Sequence, residues 1–402
     1  MNKSLLFLAL LFPFLADAGG FQIQTQSQKA NGMAGAFTGL VTDASAVYFN
    51  PAGIVFQESN MVDAGFNVMF TRTSFLSPSD GNINSATSIT MPFHAYATYH
   101  LGNRNLTAGI GINTPYGTSL KWNDGHPGRY IAQRTRFNTL FIQPTISYRF
   151  DDHFAAGFGL VGAAGSFKIR KAIAVNDDIE MELKAKGFGF GFNVGAMAHY
   201  QKINFSINYR SAVKLNFNSG DATFSNVPKS FVEQNIYPET TGFSSSFKLP
   251  STITLGVGVV ATGRIIADID ISYTTWTDFD NFNTTFSDYP SLDNNTDRNF
   301  KGTFSVCIGG QYKWSDKMDY RIGGGYDQSP VSDGNLYPDF PDASKLIMSA
   351  GASRHLSESL SIDASITMDD YRQRKETDNN QNFNGSYESA KYLIGLGIHY
   401  EF

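Results

Sequence analysis

The chain has 402 residues, with 38 Gly, 34 Phe, 19 Tyr and only 17% charged side chains, and a net charge of −5. A single cysteine, Cys307, excludes an intrachain disulfide framework. Without a basic block, nothing in the charge pattern points to nucleic acid.

The N-terminus reads MNKSLLFLALLFPFLADA. Lys3, the apolar run Leu5 to Leu15 and the small-residue site Ala16-Asp17-Ala18 predict a secretory signal peptide over 1–18. The apolar run is too short for a spanning helix, and no later run of 18 apolar residues suggests one.

Residues 19–58 do not alternate. QIQTQSQKANGMAGAFTGL is polar and then small, and DASAVYFNPAG follows it. Asp43 suits the N-cap of a short helix carrying Ala44, Ala46, Val47 and Phe49. Asn50-Pro51 should end that helix, because the residue before Pro disfavours the α region. Gly53 then permits a turn.

From about residue 59 the period is two. Near 61 the apolar face is Val62, Ala64, Phe66, Val68 and Phe70; near 140 it is Leu140, Ile142, Ile146, Tyr148 and Phe150. Around 190, Phe188, Phe190, Phe192 and Val194 alternate with Gly187, Gly189, Gly191, Asn193 and Gly195. At the end, Tyr392, Ile394, Leu396, Ile398, Tyr400 and Phe402 alternate with small or polar residues. Such segments begin near 60, 91, 105, 137, 153, 181, 202, 246, 264, 302, 317, 344, 358 and 388, which predicts 14 strands. Short connections (101–105, 150–153, 200–202, 261–264, 313–317, 355–358) alternate with long ones. Aromatics gather at the short ends. This is the pattern of an outer-membrane barrel with its apolar face to lipid. The alternative, a soluble sandwich, would not need loops of two lengths in strict alternation.

The expected fold is therefore all-β, a 14-stranded antiparallel transmembrane barrel over 59–402 with residues 19–58 as a plug, or hatch, inside it. A barrel of this width is not filled by its own wall side chains. Glycine on the lumen face suits close approach of the plug.

With these strands in place, DASAVYFNPAG resembles the hatch motif of the FadL family of outer-membrane transporters for long-chain fatty acids and other hydrophobic compounds. GGFQI resembles the family's mature N-terminus, NGMAGAFTG its small-residue hatch segment, and INYRSAVKLNF one of its strands. The resemblance spans nearly the whole chain. It implies passive transport with lateral release at a kinked third strand. Here that strand reads LTAGIGINTPYGTSLKW, and its alternation is interrupted at Asn113, Thr114, Pro115, Tyr116 and Gly117. Proline cannot donate to a ladder, and Gly117 is expected to allow unusual backbone angles. The hatch motif Asn50, Pro51, Ala52 and Gly53 is expected to pack against this break.

Ligand contacts are expected at Phe21 and Ile23, at Arg210 on the lumen face, and at Phe231, Val232 and Ile236 in the loop 218–245. The loop 171–180 is shorter than the fatty-acid members lead one to expect, so the substrate stays open between fatty acid and hydrocarbon. Arg210 could instead pair with Asp268 or Asp270. No catalytic residue, metal site or cofactor is expected: the seven histidines (His94, His100, His126, His153, His199, His355, His399) form no catalytic or metal-ligating cluster. A polar-solute porin, and less so an outer-membrane enzyme, are the alternative functions. The expected partners are a hydrophobic small molecule and outer-membrane lipid, with the protein a monomer.

Overall fold

The structure, a computed structural model, describes residues 20–402 except 41, 103, 175, 280 and 380. The predicted signal peptide 1–18 and Gly19 lie outside the described residues.

The chain forms a closed antiparallel barrel of 14 wall strands. These are β1 (Met61–Ser77), β2 (Phe93–Leu101, preceded by the short segment Ser88–Thr90), β3 (Leu106–Asn113 and Gly117–Lys121) and β4 (Arg134–Arg149). Then come β5 (Phe154–Ile173), β6 (Asn176–Tyr200), β7 (Ile203–Arg210 and Val213–Ser225), β8 (Thr240–Leu249 and Thr252–Thr262) and β9 (Ile265–Thr274, with an outer segment Asn281–Thr285). The last are β10 (Thr303–Ser315), β11 (Met318–Asp327), β12 (Lys345–His355), β13 (Leu360–Tyr371) and β14 (Gly385–Glu401). Each pairs with the next, and β1 closes the ring on β14 from Met61↔Glu401 to Leu76↔Ser386. Closure leaves no unpaired sheet edge in lipid, where an unsatisfied backbone group is costly. No helix among the described residues is long and apolar enough to cross a membrane; strands do the crossing.

The alternation read from the sequence sets the two faces. Phe188, Phe190, Ile322, Ile366 and Ile394 point outward and are exposed, while Asn193, Asp268, Asp270, Ser353 and Thr367 point inward and are buried. Tyr148, Phe150, Tyr200, Tyr320, Tyr400 and Phe402 crowd the short-turn rim, all exposed, as an interfacial aromatic girdle does. Several strands run further at the long-loop end than their apolar alternation indicates. β4, β6, β8 and β14 begin at 134, 176, 240 and 385, not near 137, 181, 246 and 388. Beyond the lipid both faces of a hairpin meet water, so pairing continues where the hydrophobic period fades.

The described residues of 20–57 lie inside the barrel and are almost entirely buried. Within them, α1 (Gln28–Asn31), α2 (Ala46–Phe49) and a 3₁₀ helix (Pro51–Phe56) are the regular elements. Lumen glycines make room for them. A Cβ on Gly157 would sit 2.3 Å from the Pro51 carbonyl carbon, and one on Gly323 2.2 Å from that of Met33. At those positions only glycine lets wall and plug backbones meet.

Three details differ from expectation. The residue capping α2 is Ser45; Asp43 instead accepts hydrogen bonds from the Ser45 N–H (2.9 Å) and hydroxyl. Asn50-Pro51 ends α2 but also starts the 3₁₀ helix. The Asn50 side chain accepts from Ala52 N–H (3.1 Å) with Pro51 in the first turn, and proline is well tolerated there. Gly53 lies inside that helix rather than in a turn.

Candidate functional site

The third strand changes hand at its middle. Asn113 stands opposite Phe141 of β4, and Gly117 opposite Asn138. Thr114, Pro115 and Tyr116 therefore span an interval that Thr139 and Leu140 fill on β4. One extra residue flips every later side chain to the other face, which turns Tyr116 into the lumen, where it is buried. Contact with β4 persists through Tyr116: its N–H donates to Thr139 Oγ1 (3.1 Å), and the Thr139 N–H donates to its carbonyl (3.0 Å).

On the β2 side the ladder stops. The last pair is His94↔Asn113, followed by Thr114 Oγ1, which accepts from Phe93 N–H (3.1 Å). Above it the wall parts. A cavity of about 660 Å³ runs in from the outer surface, between Ile89, Met91 and Phe93 on one side and Thr114, Gly117 and Leu140 on the other, down to Ile23 and Tyr116.

The free edge of β3 is occupied by the plug. Ile23 N–H donates to the Pro115 carbonyl (2.8 Å), and Gly117 N–H donates to the Phe21 carbonyl (3.0 Å). Gln22 thus faces Tyr116 as an isolated antiparallel bridge. Phe21 and Ile23, expected to contact ligand, are the residues that close the break. Gly117 serves here by its size: a Cβ would meet Ile23 Cδ1 at 3.2 Å and the Phe137 carbonyl oxygen at 3.3 Å, and its φ does not require glycine.

Asn50, Pro51, Ala52 and Gly53 do not reach this break, contrary to expectation. They pack near the short-turn end, against β4, β5 and β6. Ser147 Oγ donates to the Ala52 carbonyl (3.1 Å), Asn50 Nδ2 donates to the Ala196 carbonyl (3.3 Å), and Gly157 and Gly195 lie against Pro51 and Asn50. The wall holds the motif here: Gly157 and Gly195 leave room for it, and Ser147 and the Ala196 carbonyl bond it.

Phe21 projects from the bridge into an aromatic cage. Its ring meets Trp276 (4.8 Å between centroids), Phe279 (5.2 Å), Phe137 (5.4 Å), Phe340 (5.5 Å) and Tyr116 (6.1 Å), all edge-to-face. Edge-to-face is a favoured geometry for aromatic pairs. Beside the ring lies a cavity of about 60 Å³ lined by Phe137, Phe167, Phe247, Phe279 and Phe282. At its rim Arg298 pairs with Asp339 (2.6 Å).

Further down, the plug is pinned through its backbone. Asp270 Oδ2 accepts the N–H groups of Phe37 and Thr38 (both 3.0 Å), and Asp268 Oδ2 accepts that of Gly39 (2.9 Å). Arg210 belongs to the same set. It donates to the Tyr48 carbonyl (2.7 Å) and to Gln143 Oε1 (3.2 Å), and stacks on the Tyr48 ring at 3.9 Å. It pairs with neither Asp268 nor Asp270, each of which gives its Oδ2 to the plug backbone.

Removing the pins leaves buried N–H groups unpaired, at about 1–3 kcal/mol each. Asp268→Ala/Asp270→Ala is expected to speed amide exchange at 36–40 by at least tenfold, with the barrel still heat-modifiable on a gel. Unchanged exchange at 36–40 would contradict this anchoring.

The loop residues Phe231, Val232 and Ile236 stand apart from the cage, on and beside a short helix (Lys229–Glu233) at the tip of the β7–β8 hairpin. Phe231 packs on Tyr237 (6.2 Å), and Ile236 is exposed. Among the described residues no cluster of His, Cys, Asp or Glu could hold a metal. His399 bridges Asp63 (2.8 Å) and Glu401 (2.9 Å), while Asp63 also accepts Ala44 N–H (2.7 Å), so this histidine supports the plug.

One loop carboxyl gives the docked N-terminal segment a pH dependence. Asp342 accepts from Ser329 Oγ (2.7 Å) and Gly20 N–H (3.3 Å). Burial pushes it up to about 7, with Asp327 adding to the rise and Lys345 opposing it. Below about pH 4 the group is neutral folded or unfolded. Between about 4 and 7 only the unfolded chain ionises, so stability falls as pH rises; above about 7 the loss is complete. Amide protection of Ser329–Asp342 and Gly20, corrected for intrinsic rates, should fall at least tenfold from pH 5 to pH 8 and stay flat in Asp342→Asn.

Trp276, Phe279 and Phe340, the far walls of the cage, escape sequence reading because they lie in long loops without period. Asp268 and Asp270 carry a signal, two carboxylates on a lumen face of an otherwise apolar strand.

Comparison with known proteins gives one consistent picture. The family model described as Outer membrane protein transport protein (OMPP1/FadL/TodX) matches residues 9–402. The chain is 23% identical to the long-chain fatty acid transport protein of Escherichia coli (strain K12), over 100% of this chain and 98% of that protein. It is 24% identical to the Salmonella typhi protein of the same name, over 96% and 95%. Among solved structures, a Pseudomonas aeruginosa FadL homologue superposes with TM-score 0.85 at 18% identity, covering 96% of this chain and 100% of that one. The Pseudomonas putida toluene transporter TodX superposes with TM-score 0.72 at 14% identity, covering 94% and 98%.

Proposed function

The chain belongs to the outer membrane protein transport family (OMPP1/FadL/TodX), and from that premise we propose that it carries hydrophobic molecules passively through its barrel and releases them sideways at the β2–β3 break. The observation that carries this reading is the bridge between Gln22 and Tyr116. The plug is held by the very edge that would have to open. The same three residues, Phe21 to Ile23, close the side cavity and fill the aromatic cage.

Residues 19–58 act as the hatch in this reading. A ligand ring or acyl chain enters the cage from the loop side and competes with Phe21 for its five aromatic neighbours. The exchange replaces one apolar contact set by another and so costs little. Once Phe21 leaves, the two backbone hydrogen bonds to Pro115 and Gly117 lose their register, Ile23 withdraws, and the side cavity joins the cage. An acyl chain loses roughly 0.8 kcal/mol per CH₂ when returned to water, so a path that ends in lipid is downhill. Asn50, Pro51, Ala52 and Gly53 keep the lower plug seated while the upper strand moves. Arg210 holds Tyr48 in that lower part. In this reading it positions the hatch and does not bind ligand.

The test is uptake of labelled toluene and labelled oleate by cells lacking their own transporter, with and without this protein. Uptake of either at least tenfold above the empty cells is expected. Entry of a small sugar with neither hydrophobic compound would replace this reading by an open porin.

A further inference from the structure

The outward face of β3 to β6 changes character just above the lipid-facing band. On β6 the run from Phe188 to Tyr200 rises about 40 Å along the strand, or about 30 Å along the barrel axis at a tilt of ~40°. It therefore fills the apolar thickness, and Lys186 and Lys184 on the same face stand at the outer headgroup level. Cross-strand pairing carries this level sideways through β5, β4 and β3: Lys168↔Lys184, Arg136↔Lys168, Arg134↔Arg170 and Lys121↔Arg134; on β7, Asp221 stands opposite Lys184, and the Lys214↔Lys248 pair lies lower, beside Phe190.

Like charges opposite one another destabilise a sheet, so a row of them calls for a counter-charge. The protein supplies only part of it. Glu182 takes Lys168 (2.7 Å) and Lys184 (2.5 Å), Asp221 stands opposite Lys184, and Asp124 and Glu180 take Arg170. Lys121, Arg134, Arg136, Lys186, Lys214 and Lys248 make no ion pair among the described residues and are exposed or half-exposed. Across the barrel the same level is balanced, with Arg72 and Arg372 set among Asp370 and Glu388.

A second feature lies directly below the cations. Phe190 is 84% exposed, more than any other large apolar side chain described, with Phe188 at 68% beside it. β6 and β7 leave their ladder between Arg210↔Asn193 and Asn216↔Phe188, so no neighbouring strand covers these rings. A soluble anion has no use for such an apolar shelf, whereas a lipid places its head on the cations and its chains on the rings.

We propose that this face is a binding site for an outer-leaflet lipid with a phosphorylated headgroup, seated with its phosphates on Arg136, Lys184 and Lys186 and its acyl chains along Phe188 and Phe190. The site flanks the side cavity, which Lys186 and Phe188 also line.

The test is native mass spectrometry of the full-length barrel in nonionic detergent. The probes are a bis-phosphorylated, acylated glucosamine disaccharide and its dephosphorylated counterpart. The phosphorylated lipid should bind about tenfold tighter or more, since each basic side chain at a membrane surface adds to the attraction. Arg136→Gln/Lys184→Gln/Lys186→Gln should remove most of that preference. Arg72→Gln/Arg372→Gln on the far side should keep it, with both variants checked for heat-modifiable migration. Equal affinity of the unaltered protein for the two lipids would overturn the proposal, and that comparison needs no variant to fold. So would equal losses in the two variants, or displacement of the lipid by millimolar inorganic phosphate, which would mark a free-anion site.

Discussion

Joining the plug to the third strand by a disulfide is expected to stop transport. Gln22 and Tyr116 face each other across an antiparallel bridge with flanking bonds from Ile23 to Pro115 and from Gly117 to Phe21. This is the close, non-hydrogen-bonded type of pair, with Cα atoms about 4.5 Å apart, within the span a disulfide accepts. In a Cys307→Ser background, which removes the one native thiol, Gln22→Cys/Tyr116→Cys should cross-link under mild oxidation. Hydrophobic uptake should then fall at least tenfold, and a reductant should restore it. Each single cysteine variant controls for the lost side chain, above all for Tyr116 and its place in the cage. Uptake by the oxidised protein equal to that of the reduced one would mean that the bridge need not open.

Gly117→Arg comes second in size. A Cβ at 117 stands 3.2 Å from Ile23 Cδ1 and 3.3 Å from the Phe137 carbonyl oxygen, so Gly117→Ala asks both neighbours for a few tenths of an ångström and should transport nearly normally. An arginine has no such room. It must either push Ile23 off the break or extend into the side cavity, where it adds a charge beside Arg136. Either way the apolar route acquires a solvated cation, and a cation in an apolar environment is expensive. Uptake should fall at least tenfold, with equal amounts of folded barrel in the outer membrane. Normal uptake in Gly117→Arg would remove the side exit from the account.

The two variants separate steps that one structure holds together. The disulfide acts on the plug and leaves the cavity walls as they are; Gly117→Arg fills the exit and leaves the plug free to move. Loss in both supports a single route. Loss in the first alone would keep the hatch and send the substrate elsewhere.

Much of this was legible in the residues. Period-two runs locate the starts of wall strands such as β10, β11 and β12 to within one residue, because in lipid the outward face has no alternative to apolar side chains. Lumen glycines such as Gly157 and Gly323 announce a plug, since nothing else needs them. The break at Thr114-Pro115-Tyr116 is readable from the proline and the change of phase. What occupies the break is not. Phe21 to Ile23 carry no pattern that names Pro115 as their partner, and the pairing spans some ninety residues of sequence. The hatch motif misleads for a related reason. Asn50-Pro51 reads locally as a stop, yet its Asn side chain also caps the next helix, and the wall glycines that receive it, Gly157 and Gly195, lie a hundred residues or more away in sequence. Trp276, Phe279 and Phe340 lie in loops, where tertiary packing alone brings them to one ring.

The central claim, that a hydrophobic molecule passes from the aromatic cage to the β2–β3 cavity, is tested most directly by photolabelling. A radiolabelled hydrocarbon bearing a diazirine would be added to outer membranes holding the protein, activated with light, and its attachment sites mapped by peptide sequencing. The account predicts label at Phe21, Phe137 or Phe279 in the cage and at Ile89, Met91 or Phe93 beside the cavity, with the second group lost in the oxidised Gln22→Cys/Tyr116→Cys protein. Label confined to the short-turn end of the lumen, around Gln57 and Thr98, would show passage straight through the barrel and contradict it.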